Sequence, residues 1–83
     1  MSNPEYLSSR ARNVALGMID SRFVLLNAGD SSAALHAETS MAIEMAHSLG
    51  AIDIDEHRHY NERLSRIYEA QAEEFLKDIR RAQ

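Results

Sequence analysis

The chain has 83 residues, 45% of them apolar, and carries thirteen acids against nine bases for a net charge of −4. It contains no cysteine, which removes disulfides, thiolate zinc sites and cysteine nucleophiles together. The acidic balance argues against a general affinity for nucleic acid or anionic membranes, and so short a chain buries only a modest core.

Helical residues dominate and Gly, Pro and aromatics are scarce, so the expected fold is all-α. A first helix is expected over about residues 3–28. Ser2 and Glu5 have capping-box spacing, Pro4 suits a first helical turn, and Gly29 can take the left-handed conformation that ends the helix. Two apolar lines run down it, one through Leu7, Ala11, Val14, Met18 and Leu25, the other through Leu16, Ile19, Phe23 and Leu26. Gly17 sits inside this segment. It is either a tolerated glycine or a place where another backbone comes close.

Asp30, Ser31 and Ser32 are three candidate N-caps in a row, so a second helix is expected over about 31–49, stopping at Gly50. It is rich in small residues (Ala33, Ala34, Ala37, Ser40, Ala42, Ala46, Ser48) that allow close helix approach. The expectation is that this helix is the most enclosed of the three. A third helix is expected over about 54–81. Asp53 and Glu56 repeat the capping-box spacing, and Tyr60, Leu64, Ile67, Tyr68, Phe75, Leu76 and Ile79 recur at helical spacing along one side. Glu62 with Arg66, and Glu73 with Lys77, have the favourable i,i+4 order. Both connections are brief, so the expected architecture is a single domain, a small antiparallel three-helix bundle.

Three chemistries are worth weighing. Glu44 and His47 form a Glu-x-x-His pair, and His36 shares their helix face; this is half of what a di-metal bundle needs, and the chain holds no second copy. Asp53 with His57 and Asp55 with His59 are also possible chelating pairs. They stand at a helix N-terminus, where the dipole favours acids as caps and opposes a cation. No metal or other cofactor is therefore expected. No nucleophile elbow or Gly-rich phosphate loop occurs, and an enzyme is not expected. For nucleic acid, Arg10 with Arg12 and Lys77 with Arg80 and Arg81 fall at opposite ends of an up-down-up bundle, and the second helix has no base at all.

Association is the reading with most support. The first helix has more apolar surface than one broad contact covers, so Leu16, Ile19, Phe23, Val24 and Leu26 are expected to face another chain, most simply in a homodimer. The competing arrangement has the other two helices straddle the first and cover both lines. No eighteen-residue apolar run and no signal-peptide core are found, so the expected location is the cytoplasm, away from membranes. The expected role is a small, non-enzymatic interaction or regulatory module that binds a protein through an apolar helical face. A nucleic-acid-associated regulator is the second reading and a metal-binding bundle the third.

Overall fold

A computed structural model describes the backbone of residues 4–82 and the side chains of residues 9–82. The fold is all-α: α1 spans Pro4–Asn27, α2 Ala33–Ser48 and α3 Ile54–Ala82, with no strand among the described residues. The proposed Ser2–Glu5 capping box lies outside the described residues.

Local chemistry sets the boundaries. Gly29 and Gly50 take φ of 108° and 75°, the left-handed conformation in which a glycine carries no Cβ penalty, and each closes a helix. Ser32 caps α2, its hydroxyl accepting from the Leu35 N–H at 3.2 Å, and Asp30 accepts from the Ser32 N–H at 3.0 Å. The capping box of α3 forms in full. The Glu56 N–H donates to Asp53 Oδ1 at 2.8 Å and the Asp53 N–H donates to Glu56 Oε1 at 3.1 Å.

One core holds the three helices together. Ile19, Phe23 and Leu26 of α1 meet Leu35, Ile43 and Ala46 of α2 and the connecting Ala51 and Ile52; Tyr60, Leu64 and Ile67 of α3 pack against this cluster. Thr39 is wholly buried among them, with its hydroxyl donating back to the Leu35 carbonyl at 2.7 Å. Helix α2 supplies the most buried positions, as its small residues suggested, yet only along the stripe Leu35, Thr39, Ile43, Ala46. Its other side leaves Met41 and Met45 exposed.

One feature departs from the sequence-based expectation, and a second goes beyond it. The surplus assigned to α1 is largely covered by its own chain: Ile19, Phe23 and Leu26 are 0%, 1% and 2% exposed. The physical reason is that α2 and α3 both pack on this one line of α1, while the line through Val14, Met18 and Leu25 stays exposed. Phe23 stacks on Tyr60 at 6.0 Å between ring centroids, and the Arg63 guanidinium sits over the same ring at 4.3 Å. The second concerns α3, whose apolar residues recur along one side for most of its length but are covered over only part of it. Only Tyr60, Leu64 and Ile67 reach the core, while Phe75, Leu76 and Ile79 are exposed.

Offset of the helices explains that difference. Arg12 lies beside Ala51 and Glu56, and Gln71 lies beside Leu26 and Asp30. The start of α1 thus extends beyond the bundle at one end, and the C-terminal end of α3 extends beyond it at the other, past a shallow pocket that Glu74, Phe75 and Asp78 form with Leu26, Asn27, Gly29 and Ser31. The molecule measures 66 × 19 × 15 Å with a radius of gyration of 16.0 Å, where a compact chain of this length has about 12 Å.

Candidate interaction surfaces

Among the described residues no group of three or more His, Asp or Glu side chains is placed to hold a metal ion. Of the residues weighed as ligands, Glu44, His47 and His57 join α2 to α3, and His36 does so separately. His57 turns away from Asp53 and meets Glu44, with Nε2 2.7 Å from Oε1. Its ring stacks on His47 at 4.4 Å between centroids. The hydrogen bond from His57, helped by one from Asn61, holds the Glu44 carboxyl below its ordinary range. His36 lies apart from this cluster. Its Nε2 is 2.8 Å from Gln71 Oε1, and its ring meets the edge of Tyr68 at 5.0 Å. Asp53 serves as a cap, and His59 lies 6.0 Å from Tyr60 between ring centroids.

Three bases, Arg12, Arg22 and Arg63, are committed in the same way. Arg12 donates to Ala51 O at 3.1 Å and forks onto both oxygens of Glu56 at 2.8 and 2.7 Å. That fork, with the Asp53 N–H, holds the Glu56 carboxyl at about 2 against an ordinary value of 4.5. Arg22 donates to the Met18 carbonyl and Arg63 covers Phe23. Arg66 lies 4.0 Å from Glu62, Lys77 4.0 Å from Glu74 and Arg81 3.8 Å from Asp78. Lys77 thus takes Glu74 in place of the expected Glu73. The two basic groups named in the sequence lie on opposite halves of the molecule, and among the described residues no continuous basic stripe joins them.

Of the five residues expected to face a partner, Ile19, Phe23 and Leu26 are inside the chain's own core and Leu16 packs at its edge; Val24 alone is open, at 66% exposure. The exposed apolar side chains gather elsewhere. One set lines a groove between α1 and α2, formed by Met18, Arg22, Ala37, Met41, Ala42 and Met45 with Glu38 at its rim. Val14 and Leu25 continue the α1 side of this face at helical spacing. Arg22 Nε is buried there with no hydrogen-bond acceptor among the described residues. The second set, Tyr68, Phe75, Leu76 and Ile79, runs along the projecting half of α3.

Sequence reasoning missed the methionine face because periodicity marks an apolar line without saying which line is covered. Gln71 was missed as well. Its amide donates to the Leu26 and Asp30 carbonyls at 3.4 and 3.2 Å, capping the end of α1 from a distant helix. A polar residue interrupting the apolar line between Ile67 and Phe75 was the available signal. Compared with protein-family models, curated proteins and solved structures, the chain matches none.

Proposed function

We propose that this chain is a small, non-enzymatic protein-interaction module, an antiparallel three-helix bundle that works as a cytoplasmic homodimer and presents an apolar helical face to a protein partner. The observation that carries the reading is the α1–α2 groove. Met18, Met41 and Met45 line it, and Met41 is 61% exposed in a chain with few aromatics to anchor anything else. Methionine is unbranched and polarisable, so a methionine-lined groove adapts to an incoming amphipathic helix and suits several sequences. Contacts pair early α2 with late α3 and late α2 with early α3, through His36–Gln71 and Glu44–His57, which supports the antiparallel arrangement.

Affinity capture from native extract tests the proposal, comparing wild type with a Met41→Glu/Met45→Glu variant. Both positions are exposed, so helical content by circular dichroism is expected to stay unchanged while the captured partner is lost. A partner retained equally by both proteins refutes the groove as the binding face. A stretch of duplex DNA captured by both at about 0.2 M salt favours the nucleic-acid reading instead.

A further inference from the structure

The methionines of this chain are segregated. Three of the four, Met18, Met41 and Met45, line the α1–α2 groove, at 47%, 61% and 54% exposure. Met1 lies outside the described residues. The core is built instead from Ile, Leu, Phe and Ala, with Thr39 among them. Protein interiors commonly use the flexible thioether to fill irregular gaps, and among the described residues this one does not. The chain also has no cysteine, so the methionine thioethers are its only sulfur and its readiest sites of two-electron oxidation.

We infer that the groove is a redox-sensitive site, in which hydrogen peroxide converts Met18, Met41 and Met45 to sulfoxides and makes the groove unfit for an apolar helix while the bundle stays folded. This rests on the groove reading above and supplies its regulation.

The chemistry is an oxygen-atom transfer. A lone pair on the thioether sulfur attacks one oxygen of hydrogen peroxide, an S–O bond forms and the O–O bond breaks. After proton transfer the other oxygen leaves as water. Sulfur loses two electrons and the peroxide gains them. The reaction needs peroxide to reach the sulfur, and susceptibility follows exposure. All three side chains are about half exposed or more.

Position decides the consequence. Met41 and Met45 stand one turn apart on α2, with Met18 of α1 lining the same groove. Their sulfoxide oxygens would lie where an incoming apolar side chain docks, and burying such an oxygen without a donor is costly. Arg22 is the only side-chain N–H donor in the lining, one group for three new acceptors, and it already donates to the Met18 carbonyl. The fold has no comparable exposure to damage. None of the three methionines belongs to the cluster that joins α1, α2 and α3, so oxidation leaves that packing intact.

Peroxide treatment of the full chain, followed by peptide mapping in a mass spectrometer, tests access. Met18, Met41 and Met45 are expected to oxidise within about threefold of their rates in the urea-unfolded chain, with helicity unchanged. Protection of about tenfold or more, or loss of helicity on oxidation, overturns the inference. Affinity capture from native extract, after the peroxide is removed, tests the consequence. It compares wild type with Met18→Leu/Met41→Leu/Met45→Leu, whose groove stays apolar and carries no thioether. Capture by oxidised wild type is expected to fall about tenfold and to return after methionine sulfoxide reductase treatment, while the peroxide-treated Leu variant captures normally. A partner held equally by reduced and oxidised wild type, yet lost by Met41→Glu/Met45→Glu, overturns the switch and leaves the groove reading standing. A partner that Met41→Glu/Met45→Glu retains, or none captured by reduced wild type, overturns the groove reading and the switch together. Loss from the peroxide-treated Leu variant places the sensitive residue outside the groove and overturns the switch alone.

Discussion

Replacing Phe23 separates a residue of the internal core from one that waits for a partner. The ring is 1% exposed, stacks on Tyr60 and lies beneath Arg63. Truncation to Ala removes a buried ring at a cost of about 3–5 kcal/mol. The whole domain is expected to hold only about 4–12 kcal/mol at this length, so Phe23→Ala sits near the edge of unfolding. Phe23→Leu keeps most of the volume and is the better probe, with an expected loss of about 1–2 kcal/mol. At roughly 4–8 °C per kcal/mol for a domain this small, the melting midpoint falls by about 5–15 °C. Arg63→Met, made with and without Phe23→Leu, closes a double-mutant cycle whose coupling is expected near 0.5–1 kcal/mol. Circular dichroism melts at several protein concentrations separate the effect within one chain from any loss of association. A Phe23→Leu midpoint within about 2 °C of wild type at the lowest concentration, with a reduced sedimentation mass, would place Phe23 between chains and refute the fold-level argument.

Gly17 lies within α1 with nothing within 4 Å of the position a Cβ would take, so Gly17→Ala is expected to raise stability by about 0.4–1 kcal/mol in urea unfolding; destabilisation would show that another backbone packs there. The Glu56 carboxyl titrates at about 2 when folded against an ordinary 4.5, so the unfolded chain binds the extra proton between those values. The stability this group adds is therefore present above about pH 4.5 and lost as the pH falls toward 2. Arg12→Gln should lower the urea midpoint near neutrality, and its gap from wild type should close in acid; a gap constant with pH contradicts the pairing. Gln71→Ala removes the hydrogen bonds that cap α1 and is expected to cost about 1–2 kcal/mol, with faster amide exchange at Ala28 to Asp30, whose backbone N–H groups close the end of α1; unchanged exchange rates there would count against the cap.

Helix number and boundaries were legible because each is set by chemistry within one turn. The Asp53–Glu56 box, the Ser32 cap and the two left-handed glycines act on their immediate neighbours, and the sequence carries them in plain form. Which apolar line meets which helix was less legible. Both lines on α1 look alike in periodicity, and the one that was expected to seek a partner is the one α2 and α3 cover. That outcome depends on helix offset, a quantity fixed by contacts between residues far apart in sequence, such as Arg12 with Glu56 and Gln71 with Leu26. The same offset leaves Phe75, Leu76 and Ile79 projecting, although their spacing is as regular as that of Tyr60, Leu64 and Ile67. The histidines show the limit in another way. Glu44 and His47 were paired along one helix, whereas the bond that forms runs from Glu44 to His57 on the next.

Methyl resonances of the methionines test the central claim most directly. Met18, Met41 and Met45 line the α1–α2 groove, and Val24 is exposed outside it. With the captured partner added to the labelled chain, the methyl signals of Met41 and Met45 should shift or broaden while those of Val24 stay in place. Changes at Val24 with none at Met41 and Met45 would contradict the account.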